Sequence, residues 1–470
     1  MVTISARRTG RRSRLWGAVG ILVLAVVVPL VALAASAGAG KHRVATADEF
    51  LKATYFPIKL RAPGDPQEIR YDISCLPPDG DAEGAGVCDG GGTVYFRSST
   101  NVSASVQLQL DADAQAGRYV AAVPSTIWSA PWFTYYAVIR DNTSGHTITL
   151  PQGGSTAPQF SFAIGGSAIA LGSHAFGATR QPSARVASAA WGSGAGQVGL
   201  EDGIDMPTGG SSFDVDSSGN VFLLDEANSR MLEFTGAGSP TAISLPGLTG
   251  VRGDLRVSGT SSTAYVLESS NAALPRPLLR AYTLRGASLS SSVAADAVAA
   301  QVRVSGSPAY VSEYPSSMWA PVLQNDGRSP VDATTQFARA TSGGPAPSGN
   351  VVVLSMGDEI RVGSYVQVGT SYQITTARIT STTPVADIQL TQALPSGRLL
   401  VVFSVYTETE HEYEVVVVDA SGVLVDQFAL QAADWAQSMP LSRFRLVGSN
   451  LYELGSTEDG VFVDRYDLGV

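Results

Sequence analysis

The chain of 470 residues spreads its chemically capable side chains thinly, and most of them are carboxylates. Asp214, Glu268, Glu313, Asp358 and Glu453 fall near the ends of short apolar runs, with Asp225, Asn228 and Asn271 in similar places. Several such groups meeting at one point could hold a divalent cation and polarise a bound oxygen, but sequence does not say which of them converge. The four histidines, His42, His146, His174 and His411, are too scattered for a three-His zinc site. His411-Glu412 lacks the second His of the zinc-protease motif, no Gly-x-Ser-x-Gly elbow occurs, and His411 reads as a solvated turn residue. The two cysteines, Cys75 and Cys88, flank a Pro/Gly/Asp-rich loop. In an exported chain they are expected to form a structural disulfide, worth about 3 kcal/mol by the loop-entropy argument.

Two further spacings imitate ligand motifs. Asp214-Val-Asp216-Ser-Ser218-Gly219 through Asp225 fits a calcium loop of the EF-hand kind, but its flanks read as strands where that motif needs helices, so a hairpin turn is expected. Gly194-Ala-Gly196-Gln-Val-Gly199 matches the dinucleotide spacing, yet Glu201 to Pro207 follows it where a helix should begin. No cofactor is indicated; the carboxylates are compatible with a structural or catalytic calcium ion without calling for one.

The elements that must position these groups are short strands. Phe213 and Val215 alternate with polar neighbours, Asp216 to Asn220 is turn chemistry, and Val221 to Leu224 is an apolar run. A second turn from Asp225 to Arg230 leads into Met231 to Phe234. Strand pairs open again near Asp254, Gln301, Asn350, Ala386 and Arg443, at intervals of roughly 35 to 55 residues, the spacing of propeller blades. The last unit, from Phe444, has three strands and then the chain stops. Its fourth strand is expected from Arg185 to Trp191, which seals the ring and gives six blades.

Asp225, Asn228 and Arg230 carry a resemblance to the NHL repeat, whose blades place Asp, two residues, Asn, one residue and Arg between their second and third strands. The resemblance implies a β-propeller over residues 183–470. In it these three residues build the blade turn: a carboxylate bonding turn amides, an Asn in left-handed geometry, and an Arg near the carboxylate. Propeller enzymes of the lactonase kind hold a cation at the axis, which makes Asp214, Glu268, Glu313, Asp358 and Glu453 the candidate axial carboxylates. Their Glu-Gly-Pro segment is replaced here by Met206-Pro-Thr-Gly-Gly210.

Upstream, residues 41–165 contain six short alternating segments separated by turn residues, which predict a small antiparallel β-sandwich of immunoglobulin or fibronectin-like kind. Trp128, Trp132, Phe133, Tyr135 and Tyr136 cluster there; alternation sends about half of them into the core, against a competing sugar-platform reading. Residues 166–182 read as a linker. Residues 1–40 carry Arg7, Arg8, Arg11, Arg12 and Arg14 before an uncharged run to Ala37, the pattern of a signal anchor with the N-terminus inside. Ala35-Ser-Ala37 would be the cleavage site if the chain were secreted.

The fold expected is therefore all-β after a membrane helix: a sandwich, then a six-bladed propeller. The net charge is −10, and beyond the basic N-terminus the chain is more acidic still, which disfavours nucleic acid as a partner. The Lys-poor, Ala/Val/Gly-rich composition is that of a GC-rich bacterial genome. The leading functional expectation is a cell-surface, non-catalytic binding or scaffolding module for a protein or glycan. The competing one is a metal-dependent hydrolase, lactonase or lyase using axial carboxylates.

Overall fold

The computed structural model describes residues 51–469, leaving out 76–85, 88, 112–116, 202–206, 237, 250–252, 259–260, 270–273, 295–298, 305–308, 314–317, 325, 347–348, 370, 395 and 437–441. The expected membrane helix, residues 1–40, lies outside this set, and among the described residues no helix is long and apolar enough to cross a membrane. Cys88 also lies outside it. Its expected partner Cys75 ends the strand Glu68–Cys75, whose last residues pair with Gly86–Val87.

The described chain is all-β, built almost wholly of antiparallel strands. Two sheets come first. One joins Leu51–Tyr55, Glu68–Cys75, Arg118–Ala122 and Gln109–Leu110; the other joins Leu60–Arg61, Gln159–Ala163, Trp132–Asp141, Gly90–Ser98 and Ser103–Gln107. Ile69, Tyr71 and Ile73 alternate with polar neighbours on the first sheet, as Phe133, Tyr135, Ala137 and Ile139 do on the second. Period-2 alternation puts each set on one face, and the two faces share one core with Val94, Phe96 and Tyr119.

Beyond residue 165 the described strands form six small sheets of three or four strands. Their first strands in chain order are Phe213–Val215, Gly253–Ser258, Ala299–Val304, Asn350–Met356, Val385–Ala393 and Phe444–Val447. Phe213–Val215 lies against Gly253–Ser258, which lies against Ala299–Val304. Asn350–Met356 lies against Val385–Ala393, which touches Phe444–Val447, and that strand returns to Phe213–Val215. The Arg303 guanidinium spans the remaining step, donating to the carbonyls of Gly344 at 3.2 Å and Thr391 at 3.3 Å. This circuit of first strands is a propeller-like arrangement. Apolar side chains between successive sheets, such as Leu224, Met231, Leu255 and Val266, supply the burial that holds it.

The circuit is sealed by non-local pairing. Ala184–Ala190 runs antiparallel to Gly460–Asp467 and completes the last sheet as its fourth strand, with Arg185 clamped on Asp464 at 2.8 and 2.9 Å. Residues 166–182 are more than a tether: Ile169–Ala170 adds a parallel strand to Ser371–Thr380, and Thr179 bridges Ala429. The sheet Ala299–Leu323 has three strands, and the helix Ala333–Ala338, capped by Asp332 on the Thr335 amide at 3.0 Å, follows it.

The earlier sheets dock on the Asn350–Thr380 sheet through Leu60, Phe162, Val352 and Tyr365, with Trp132, Phe160 and Tyr372 packed around them. Arg361 locks this contact, donating to the Leu60 carbonyl at 3.1 Å and to Asp65 at 2.8 Å.

The closing strand leaves no room at Gly460, where an added Cβ would stand 2.1 Å from the Ala189 carbonyl oxygen, whereas Gly165 has nothing within 4 Å. Gly460→Ala is expected to cost about 2 kcal/mol and to lower the melting temperature by several degrees, with Gly165→Ala near neutral. Equal melting curves for the two variants would refute the closure.

Candidate functional site

At or just before the first strands, polar or charged residues stand two apart in otherwise apolar sequence: Ser212 and Asp214, Asp254 and Arg256, Arg443 and Arg445. Period 2 puts each pair on one face. Arg445 is the hub. Its Nε donates to the Phe213 carbonyl at 2.8 Å, and its Nη2 donates to Asp254 at 2.9 Å, the Leu255 carbonyl at 3.1 Å and the Ser212 hydroxyl at 3.2 Å. Asp254 also accepts from the Ser212 hydroxyl and the Val302 amide, both at 2.8 Å. Asp214 accepts from the Val257 amide at 2.7 Å and lies 3.4 Å from Arg445 and 3.5 Å from Arg256.

The electrostatics follow from burial and neighbours. Burial, then the nearby Arg256, pulls the Arg445 guanidinium down to about 10. The same effects, with Arg445 added, pull Arg303 down to about 9. Burial by itself would raise the Asp254 carboxyl, but Arg445, Arg256, the Val302 amide and the Ser212 hydroxyl hold it below its ordinary value. Both carboxylates at this centre are occupied by guanidinium groups and amides.

Of the candidate axial carboxylates whose side chains are described, only Asp214 joins this centre. Glu268 instead accepts from the Thr249 amide and hydroxyl, both at 2.7 Å, and pairs with Arg280 on the next strand of its own sheet. Asp358 is exposed in the turn between Asn350–Met356 and Glu359–Val368. Glu453 faces Tyr466, whose hydroxyl donates to it at 3.0 Å, and the Glu313 side chain lies outside what is described. Among the described residues no group of three or more His, Cys, Asp or Glu is placed to hold a metal.

Asp225, Asn228 and Arg230 do come together. Arg230 Nε donates to Asp225 at 2.7 Å and Asn228 Nδ2 donates to both Asp225 oxygens at 3.1 and 2.9 Å. Two details differ from the expectation. The Asp225 carboxylate takes the amide of Gly199, from the preceding loop, at 2.9 Å, and the left-handed residue is Ser229, with φ 51°. Arg230 also donates to the carbonyls of Gly194 at 2.8 Å and Gln197 at 2.6 Å, so the glycine-rich spacing there serves as a collar for a guanidinium. The calcium-like stretch is a hairpin, in which Asp216 accepts the amides of Ser218 at 2.8 Å and Asn220 at 2.9 Å.

Sequence reasoning missed three groups. Asp254 was legible only as one of the alternating charges in the first strands. Glu226 is buried and accepts from the Gly253 amide at 3.2 Å; burial pushes its carboxyl up to about 7. His174, on the expected linker, is buried between Glu412, at 2.8 Å, and Glu414, two carboxylates that strand alternation puts on one face. His411 is half-exposed, 3.3 Å from Asp434.

No protein-family model and no curated relative matches the sequence. Solved structures with some likeness include virginiamycin B lyase from Staphylococcus aureus, 12% identical, with a TM-score of 0.33 over 56% of this chain and 85% of that one. The PQQ-bound aldose sugar dehydrogenase from Streptomyces coelicolor is 9% identical, with a TM-score of 0.32 over 61% of this chain and 98% of that one. A luciferin-regenerating enzyme is 10% identical, with a TM-score of 0.32 over 55% and 90%. Likeness at this level says nothing about chemistry.

Two outcomes test this description. Arg445→Ala leaves Asp254 buried without its cation and is expected to cost on the order of 3–5 kcal/mol in denaturant unfolding. A loss under about 1 kcal/mol would remove the network from the centre of the fold. Burial pushes the Glu453 carboxyl up to about 8 from 4.5, against the opposing pull of Arg443 and Tyr466. A raised folded value means its contribution is complete below pH 4.5 and is lost as pH rises to about 8. Relative to Glu453→Gln, the native protein should lose roughly 1.4 kcal/mol per pH unit across that window and level off above it. Parallel pH–stability curves would contradict the assignment.

Proposed function

We propose that the chain is an exported, membrane-tethered bacterial protein whose six small sheets form a six-bladed propeller with an NHL-like turn in one blade. It carries a small β-sandwich and acts as a binding or scaffolding module. The supporting observation is the centre of the strand circuit. Asp214 and Asp254 there are neutralised by Arg445 and Arg256 and filled by backbone amides, an arrangement that stiffens a platform and leaves neither of these two carboxylates free for a cation. The Arg-rich segment before the apolar run of residues 1–40 is the basis for the tether, with the N-terminus inside.

The competing reading is a hydrolase or lyase with a cation on axial carboxylates. The three similar structures named above are enzymes by name, a lyase and a dehydrogenase among them, but likeness at this level does not choose between the two readings. The two readings separate in one experiment. A rigid binding platform should show the same melting temperature with calcium, magnesium or chelator, and no turnover of lactone or ester substrates. A chelator-reversible rise of several degrees together with turnover would replace the binding reading by the enzymatic one.

A further inference from the structure

The second of the N-terminal sheets has two faces. The inner one is core. The outer one is covered by the Asn350–Thr380 sheet only at one end, where Trp132 and Phe160 meet Tyr372 with ring centroids 5.2 and 5.0 Å apart. At the other end it opens as a groove of 490 Å³ lined by Tyr95, Arg97, Ser103, Ser105, Thr134 and Tyr136, with Ser155 and Pro158 along the edge nearest the docking contact.

Three properties of this groove bear on what it could hold. Tyr95 and Tyr136, neighbours on adjacent strands, stack with centroids 4.9 Å apart and planes 16° from parallel, and Tyr95 keeps 38% of its surface exposed. The other lining side chains on the face are hydroxyls or a cation. Arg97 is exposed and makes no ion pair with any described residue, and no acidic residue lines the groove, although the chain has 41 acidic residues against 31 basic ones.

We propose that this groove is a binding site for an acidic saccharide, a pyranose carrying a carboxylate of the uronic-acid class. A flat ring stack packs against the apolar C–H face of a pyranose, as the amphipathic faces of Tyr and Trp do elsewhere. Ser103, Ser105 and Thr134 present hydroxyls at the strand spacing, where they exchange hydrogen bonds with sugar hydroxyls. Arg97 supplies a planar fork of donors that matches a carboxylate in two parallel hydrogen bonds. A peptide adding to a sheet would use the free edge of Ser103–Gln107 and its backbone groups. This groove lies on the face, among side chains. The proposal rests on the binding reading above in taking the protein as a binder, but it places the ligand on the sandwich, away from the strand circuit.

The test is titration of the ectodomain from Lys41 onward with an oligogalacturonate and with a neutral malto-oligosaccharide of equal length, followed by calorimetry. The expected result is binding of the oligogalacturonate alone, weakened at least tenfold by Arg97→Gln and abolished by Tyr95→Ala. Tyr95→Phe, which keeps the ring, should retain it, and so should Arg140→Gln, which removes another exposed cation of the same face outside the groove. Arg97 is solvent-exposed, so its variant folds even if Tyr95→Ala does not. No binding of the acidic oligomer, equal binding of the neutral one, or indifference to Arg97→Gln would each overturn the proposal. None of these outcomes bears on the calcium and turnover test, so the two readings fail separately.

Discussion

The buried pairing of Arg445 with Asp254 is the interaction on which the strand circuit depends. Two charges taken out of water are stabilising only when their remaining donors and acceptors are met. Here they are met from three different sheets: Ser212 and Phe213 from one, Asp254 and Leu255 from the next, and Val302 from the third. Hydrogen bonds of fixed length and direction therefore set how closely these first strands approach, which apolar packing alone would leave looser. The same network takes the carboxylates that could have served a cation. In this centre rigidity and metal chemistry compete for the same oxygens.

A second device recurs farther out in the sheets. Asp225 with Arg230 and Glu268 with Arg280 each place an acid at the end of a second strand, an Arg on the third, and a loop amide, of Gly199 or Thr249, on the acid. A carboxylate that accepts both a guanidinium and an amide fixes the incoming loop on the sheet edge. Glu412 and Glu414 do the same for the segment around His174, and Asp464 does it for the closing strand through Arg185.

Docking of the N-terminal sheets uses the opposite chemistry. Aromatic rings from two strands and one hairpin interleave around Phe160, and Arg361 crosses the contact. Part of that ring-rich face stays open to solvent beside Pro158.

Much of the architecture was legible in sequence. Alternation placed first strands near Ser211, Asp254, Gln301, Asn350, Ala386 and Arg443, within two residues of those found, because a strand with one buried face has period 2 whatever surrounds it. The closing strand could be read from an incomplete last unit, since an unpaired edge demands a partner. The Asp225, Asn228 and Arg230 cluster was readable because it is local, five residues from end to end. What the sequence could not decide was convergence. Glu268 and Arg280 make the same clamp across a gap of 12 residues, too long to announce itself, and Glu268 and Glu453 look as fit for an axial site as Asp214 does. Arg445 and Asp254 stand 191 residues apart, and His174 meets Glu414 across 240. Local pattern fixes which face a side chain takes on its own strand, and it pairs Asp225 with Arg230; only the packing of sheet on sheet decides which distant face a side chain meets, and Asp254 and Arg445 draw their partners from that second step.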